Sequence, residues 1–205
     1  LARALIGAGI KKGDRVATLM WNHAAHLEAY LGVPLAGAVI HTLNLRLHPD
    51  EIGFIASDAG DKLLLVDEVL LPLLEKFRAK AGFERVVVVG QDYEAFLAGA
   101  PELSLPVLRE EDALGMCYTS GTTGKPKGVV YTHRSTVLHS LVSALPDSLG
   151  LSRADTLLPV VPMFHVNAWG LPYTATLVGT KQVHPGPHLD AESLLDLMEK
   201  EQVTV

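Results

Sequence analysis

The amino-acid sequence predicts an α/β fold with mostly parallel sheets flanked by helices. Short continuous apolar runs, such as 62–67, alternate along the chain with segments of helical periodicity, such as 68–81. Apolar runs without polar alternation are typical of strands buried on both faces, as parallel sheets require. With 205 residues and a hydrophobic content of 48%, the chain has enough apolar material for a core of this kind.

The first half of the chain shows this alternation most clearly. The predicted strands lie at 15–20, 39–43, 62–67 and 85–90. The predicted helices lie at 1–8, at 23–37, from 49 onward, and at 68–81. Asn22 is the expected N-cap of the second helix, and Pro49 followed by two acidic residues is typical of a helical first turn.

A segment with the composition of a linker, 99–112, separates the two halves, and the alternation then resumes. The predicted strands lie at 114–119, 129–133, 157–161 and 181–184. The predicted helices lie at 135–145, 166–178 and 191–202. The halves are similar in pattern but not in sequence. We therefore expect two related α/β subdomains, 1–108 and 109–205, without a true repeat.

Composition excludes several classes of protein. The 17 Lys and Arg against 23 Asp and Glu give a net charge of −6, which argues against nucleic acid as a partner. The single cysteine excludes an intrachain disulfide and favours a reducing compartment. The most apolar window, 27–45, contains Glu28, Pro34 and His41, and so predicts a buried helix and strand rather than an integral membrane segment.

Segment 118–128 carries the strongest functional signal. Its sequence, Tyr-Thr-Ser-Gly-Thr-Thr-Gly-Lys-Pro-Lys-Gly, holds four Ser or Thr residues, three glycines and two lysines between two predicted strands. Glycines let main-chain N–H groups converge on an anion, and hydroxyls can bind phosphate oxygens or Mg²⁺. Lys125 or Lys127 would supply positive charge. The segment therefore predicts a site for a nucleoside triphosphate.

This segment differs from the common phosphate-binding loop. Pro126 stands where that motif has glycine, and no Gly-Lys-Ser or Gly-Lys-Thr follows. Residues 129–132 have the pattern of a strand, so a hairpin loop is expected instead of a strand-to-helix loop. The alternative interpretation is a solvated glycine-rich turn. The two lysines, four hydroxyls and one proline together make that alternative the less favoured one.

The same segment resembles, almost position for position, the signature of the adenylate-forming superfamily. This superfamily includes acyl-CoA synthetases, peptide-synthetase adenylation domains and beetle luciferases. A second block, 162–170 (Pro-Met-Phe-His-Val-Asn-Ala-Trp-Gly), and the opening 13–17 are also similar to it, so the resemblance spans essentially the whole chain. The run His-Val-Asn-Ala-Trp and the pattern at 171–179 resemble long-chain fatty-acyl-CoA synthetases most.

The resemblance implies a reaction in two halves. A fatty-acid carboxylate attacks the α-phosphorus of ATP to give acyl-AMP and pyrophosphate, and the thiol of coenzyme A (CoA) then displaces AMP. Mg²⁺ would be the cofactor and the cytoplasm the location, with peripheral membrane attachment and a homodimer left open. Two alternatives stay open. One is adenylation of another acid (aryl, amino acid) or transfer to a carrier protein. The other is a non-catalytic nucleotide- or CoA-binding module.

The resemblance also implies roles for individual residues. Thr119 would ligate Mg²⁺, and Lys127 would add charge beside the phosphates. His165 would lie by the α-phosphate and the acyl carboxylate as a catalytic donor. Trp169, four residues later on one face of the predicted helix, would gate the acyl tunnel. The residues that would line the β- and γ-phosphates are Ser120, Gly121, Thr122, Thr123 and Gly124. Core packing is the alternative role for both His165 and Trp169.

The superfamily pattern extends past Val205. A Mg²⁺-binding glutamate, a ribose-binding aspartate and a C-terminal lid domain with a catalytic lysine would all follow it. Since the chain begins with Leu1 and ends in a β-prone run, we expect it to be an internal piece of a longer protein and inactive alone.

Two histidine pairs have spacings that metals can use, 23 with 26 and 184 with 188. No cysteine or acidic residue completes either set, and Pro185 and Pro187 break any helix beneath the second pair. We therefore do not expect zinc.

Overall fold

A computed structural model describes residues 1–119 and 126–205 of the chain. The strands are β1 (Arg15–Leu19), β2 (Val39–Thr42), β3 (Asp61–Asp67), β4 (Arg85–Val89), β5 (Ala113–Thr119), β6 (Lys127–Thr132), β7 (Thr156–Leu157) and β8 (Lys181–Gln182). The helices are α1 (Ala2–Gly7), α2 (Ala24–Leu35), α3 (Pro49–Ala59), α4 (Leu71–Leu74), α5 (Arg78–Ala81), α6 (Tyr93–Ala98), α7 (His133–Ser143), α8 (Leu171–Val178) and α9 (Ala191–Glu201).

Six strands form one sheet in the order β4-β3-β1-β2-β5-β6. The first five are parallel to one another, and β6 runs antiparallel to β5. The strands β7 and β8 form a separate parallel pair. The mostly parallel α/β fold predicted from the sequence is confirmed. The hairpin expected after the glycine-rich segment is confirmed as well, because only antiparallel neighbours can be joined by so short a loop.

Helices cover both faces of this sheet. Leu63 and Leu65 point into the core beneath α1, α2 and α6, whereas Leu64 and Val66 point into the core beneath α3 and the α4–α5 segment. Successive residues of a strand face opposite sides, so a strand with two covered faces needs apolar residues at every position. This arrangement explains the continuous apolar run of β3.

The sheet continues across the predicted subdomain boundary. Ile40 and His41 of β2 pair in parallel with Gly115 and Met116 of β5, which follows the linker. One sheet therefore contains strands from both 1–108 and 109–205. The division into two subdomains stays a prediction.

The most apolar window, 27–45, holds most of α2 and the whole of β2. All four residues of β2 are buried. The predicted buried helix and strand are therefore confirmed. In the part of the chain that the structure describes, no helix is both long enough and apolar enough to cross a membrane.

The helix predicted over 68–81 is wrong as a continuous element. A 3₁₀ turn at Glu68–Leu70 precedes α4, and the chain leaves the helical path before α5 begins. Pro72 can only start a helix, and the interruption turns the side chain of Phe77 into the core, where it is 1% exposed. The helix α6 was not predicted, because its short pattern precedes a segment with the composition of a linker.

The predicted N-cap of α2 is also wrong. His23, not Asn22, caps the helix: its Nδ1 accepts a hydrogen bond from the amide of His26, and its Nε2 lies 2.7 Å from the carboxylate of Asp67. The side chain of Asn22 is buried and used elsewhere, because it holds a distant loop.

His26 is fully buried in the first turn of α2. Its Nδ1 donates to the carbonyl oxygen of Trp21 at 3.0 Å, so in the neutral ring Nε2 accepts from the hydroxyl of Thr18, also at 3.0 Å. Burial lowers the pKa of His26 to about 3. The ring is therefore neutral in the folded protein at every physiological pH.

We expect this histidine to make stability depend on pH. An unfolded histidine has a pKa near 6.5, so below that pH the unfolded chain binds a proton that folded His26 refuses. The free energy of unfolding is therefore unaffected by His26 well above pH 6.5 and falls as the pH drops toward 3. At pH 5 it is lower by about 2 kcal/mol than at pH 8. Urea unfolding of the wild type and of His26→Gln at pH 8 and pH 5 measures it.

The wild type should lose more stability between the two pH values than His26→Gln does. The exposed His188→Gln is the matched control and should behave as the wild type. Equal losses in the wild type and His26→Gln would contradict the prediction.

Candidate active site

The hairpin formed by β5 and β6 brings two of the predicted site residues together. Thr119, the last residue of β5, lies directly opposite Lys127, the first residue of β6, in the antiparallel ladder. Both are exposed. Side chains at such opposed positions have Cβ atoms about 4.5–5.5 Å apart and lie on the same face of the sheet. A hydroxyl and an ammonium group therefore stand side by side where the loop leaves the sheet.

The other predicted phosphate-binding residues fall in the loop itself. Ser120, Gly121, Thr122, Thr123 and Gly124 lie outside the described residues, as does Lys125. Their roles stay predictions from the sequence.

The face that carries Thr119 and Lys127 also borders a large cavity. Alternation along the ladder places Cys117 and Tyr131 on this same face, two and four residues from the hairpin end. The cavity has a volume of about 490 Å³. Its lining includes Leu114, Tyr131, His139, Asn167, Trp169 and Tyr173.

The wall of this cavity formed by β5 and β6 carries no charge at neutral pH. Burial, and then the contact with Cys117, raises the pKa of Tyr131 to about 12. The Cys117 thiol, 3.6 Å from the Tyr131 hydroxyl, lies next to this wall, and burial raises its pKa as well. A neutral, mainly apolar wall of this kind suits an uncharged ligand.

The loop that carries His165 is fixed by buried side chains from the first half of the chain. The Nδ2 of Asn22 donates to the carbonyl oxygens of Pro159 and Val161, at 3.0 and 3.2 Å, and its Oδ1 accepts from the amide of Met163 at 2.7 Å. The hydroxyl of Tyr30 donates to the carbonyl oxygen of Met163. Both main-chain groups of Met163, two residues before His165, are therefore held in place.

His165 itself is exposed at the carboxyl end of β2. The Nδ2 of Asn44 lies 3.4 Å from its Nδ1. The guanidinium carbon of Arg46 lies 5.7 Å from the ring centroid of Phe164, the preceding residue. Sequence reasoning missed both Asn44 and Arg46. The available signal was their position just after a predicted parallel strand, since ligands of α/β proteins bind beyond the carboxyl ends of strands.

The helix predicted over 166–178 begins only at Leu171. From Val166 to Gly170 the backbone has positive φ, between 44° and 72°. The argument that His165 and Trp169 share one helical face is therefore wrong, because no α-helix connects them. Asn167 is buried inside this turn and accepts a hydrogen bond from the hydroxyl of Thr42 at 3.0 Å.

Trp169 nevertheless borders the cavity, with 61% of its surface exposed. A second, smaller cleft, lined by residues that include Asn44, Cys117, Tyr118 and His165, lies at the carboxyl ends of β2 and β5. The structure therefore places Thr119, Lys127 and His165 at the carboxyl ends of β2 and β5. Trp169 borders the cavity beside Leu114 and Tyr131, nearer the other end of the hairpin.

The described residues offer little to a bound metal apart from the hydroxyl of Thr119. Within 1–119 and 126–205, no group of three or more His, Cys, Asp or Glu side chains is placed to hold a metal ion. His26, a member of one histidine pair, is fully engaged with Thr18 and Trp21.

The chain is similar along its length to known CoA ligases. The long-chain-fatty-acid–CoA ligase of Thermus thermophilus is 54% identical over 99% of this chain and 39% of its own length. The 3-methylmercaptopropionyl-CoA ligase of Ruegeria pomeroyi is 45% identical over 100% of this chain and 41% of its own. The solved structure of a long-chain-fatty-acid–CoA ligase from Archaeoglobus fulgidus superposes with a TM-score of 0.88, at 28% identity, covering 99% of this chain and 41% of that one.

The chain thus spans about two fifths of the length of the relatives that it matches. The family model described as AMP-binding enzyme matches residues 1–205. This full-length match confirms the resemblance drawn from the hairpin segment and from 162–170. The chain belongs to the AMP-binding enzyme family.

Proposed function

We propose that the protein containing this chain is an AMP-forming fatty acid–CoA ligase. The chain would supply the ATP phosphate site and part of the acyl pocket. The observation that carries this proposal is the similarity along the whole chain to a curated long-chain-fatty-acid–CoA ligase. The similarity to a 3-methylmercaptopropionyl-CoA ligase favours a second candidate function, in which the same reaction activates a short acid.

The hairpin end suits the polyphosphate of ATP. The reaction brings a carboxylate and a triphosphate together, so positive charge and N–H donors must offset their repulsion. Lys127 supplies an exposed ammonium group there, and the adjacent Thr119 supplies a hydroxyl. Ser120, Gly121, Thr122, Thr123 and Gly124 would surround the β- and γ-phosphates. Holding two reactants in register lowers a barrier by about 7–11 kcal/mol without a protein nucleophile.

His165 suits a donor at the reacting carboxylate and α-phosphate. It is exposed and borders the smaller cleft at the carboxyl ends of β2 and β5, on a loop that Asn22 and Tyr30 hold in place. A preorganised donor stabilises developing charge without reorganisation during the reaction. Arg46, close to the preceding residue, would add to the positive potential.

The 490 Å³ cavity suits the acyl chain. It opens on the face of β5 and β6 that carries Thr119 and Lys127, so a carboxylate at the hairpin end could extend its chain into the cavity. The wall formed by Leu114 and Tyr131 would contact the chain. Trp169 would form the rim as a gate.

Mg²⁺ fits this site as a companion of the nucleotide. The ion usually keeps several waters and binds through few protein ligands together with substrate phosphates. Thr119 alone among the described residues would hold it through its hydroxyl. When bound, the ion would neutralise phosphate charge. Other parts of the longer protein would bind CoA and complete the site.

The exchange of radioactive pyrophosphate into ATP, measured on the full-length protein with a panel of acids, tests the proposal directly. We expect exchange with fatty acids, because the cavity is large and mainly apolar. Exchange with short acids alone would favour the second candidate. Exchange with amino acids and not fatty acids would make the fatty-acid assignment wrong. A protein that binds ATP but exchanges with no acid would be a non-catalytic binding module.

We expect Lys127→Ala and Thr119→Ala each to slow exchange about tenfold or more in the full-length protein. Each variant removes a charge-assisted or hydroxyl contact to phosphate or its metal. The rate at saturating fatty acid, measured over a range of ATP concentrations, gives the effect. Lys11→Ala, which removes an exposed lysine from a distant turn, is the control. Unchanged rates in both variants would eliminate the phosphate role of the hairpin.

We expect Trp169→Ala to change the preference for acyl-chain length while exchange with short acids is retained. The side chain borders the cavity but is mostly exposed, so its removal opens the rim without emptying a core. Relative kcat/KM values for a series of fatty acids report the change. A uniform loss across all lengths would instead indicate a packing role for Trp169.

A further inference from the structure

Tyr118, the residue before Thr119, links the hairpin to the first half of the chain. Its hydroxyl donates to Oδ2 of Asp58, in the last turn of α3, at 2.6 Å. Its ring lies 5.3 Å from the ring of His41, centroid to centroid, at an interplanar angle of 40°. Neither contact follows from the family motif, since Asp58 and His41 are both far away in sequence.

His41 is itself locked by a buried pair. Its Nδ1 donates to both carboxylate oxygens of Asp61, at 2.9 and 2.8 Å, and both side chains are 0% exposed. The backbone of His41 is fixed as well, because it pairs with Met116 in the neighbouring strand β5. The surface against which Tyr118 packs is therefore rigid.

These contacts act where the sheet no longer holds β5. The pairing of β2 with β5 covers only Gly115 and Met116, so Tyr118 and Thr119 extend beyond it. Among the described strands, β6 alone pairs with β5 at this point, and a hairpin held on one side can twist. The hydrogen bond of Tyr118 to Asp58 and its ring contact with His41 replace the missing strand contact.

The alternation of side chains turns this anchor into a control on Thr119. Successive residues of a strand point to opposite faces, so a Tyr118 fixed toward α3 obliges Thr119 to point toward the cavity face. A slip or twist at this point would move the Thr119 hydroxyl away from Lys127. The same strand register thus directs the Tyr118 side chain toward Asp58 and the Thr119 side chain toward Lys127.

We propose that Tyr118 is a positioning residue for nucleotide binding, held by Asp58 and by the His41–Asp61 pair. It orients Thr119 toward the triphosphate through the backbone of β5. This inference rests on the proposed function, because it assumes that the hairpin binds ATP.

Two single variants and their combination test it in the full-length protein. Tyr118→Phe keeps the ring on His41 and loses the hydrogen bond, and Asp58→Ala removes the same bond from an exposed site. We expect each to raise the KM for ATP about three- to ten-fold in pyrophosphate exchange, with the KM for fatty acid unchanged. The double variant should be no worse than either single variant, because both remove one contact. Asp58→Asn, which keeps an acceptor oxygen, should recover part of the loss.

Tyr93→Phe is the matched control. It removes a comparable hydrogen bond, from the Tyr93 hydroxyl to Glu28 at 2.7 Å, far from the hairpin. It should lower stability without changing either KM. If Tyr118→Phe and Asp58→Ala also lower only stability, the positioning role is wrong while the proposed function stands. A wild type that shows no exchange with any acid refutes the proposed function, and this inference with it.

Discussion

The parallel pairing of β5 with β2 is the constraint on which the site depends. Only two residue pairs make it, Ile40 with Gly115 and His41 with Met116. This short ladder attaches the hairpin of β5 and β6 to the rigid, doubly covered sheet. It also sets the register that sends Thr119 and Lys127 to one face and Tyr118 to the other. A shift of one residue would exchange the two faces, and no local change in the loop could compensate.

A second attachment aligns the His165 loop with the hairpin. Asn22 and Tyr30 hold the main chain at Met163, and Thr42 holds Asn167, so His165 lies between two fixed points. These donors and acceptors come from β2, from α2 and from the segment between β1 and α2, all in the first half of the chain. The candidate site is therefore assembled across the predicted linker by buried polar contacts. Such contacts are costly to leave unpaired, which makes the arrangement specific.

Local sequence signals were enough for the fold and for the hairpin but not for the contacts around them. Continuous apolar runs identified the buried strands, because two covered faces leave no polar position. The hairpin residues could be named since glycine, hydroxyl and lysine chemistry is concentrated in one segment. The contacts of Asn22, Asn44 and His41 could not be predicted, because their partners lie 20 or more residues away in sequence. Polar residues beside or within apolar strands were the only trace of these contacts.

The turn from Val166 to Gly170 shows why the region after His165 escaped prediction. A β-branched residue and a tryptophan rarely adopt positive φ, and each non-glycine residue in the left-handed conformation costs roughly 1–2 kcal/mol. The turn persists because its middle is buried: Ala168 is fully enclosed, and the Asn167 side chain is bonded to Thr42. Tertiary contacts thus override the local preference for a helix at this point. The consequence is a compact loop that leaves His165 exposed at the sheet end and Trp169 at the rim of the cavity, which a helix beginning at Val166 would not do.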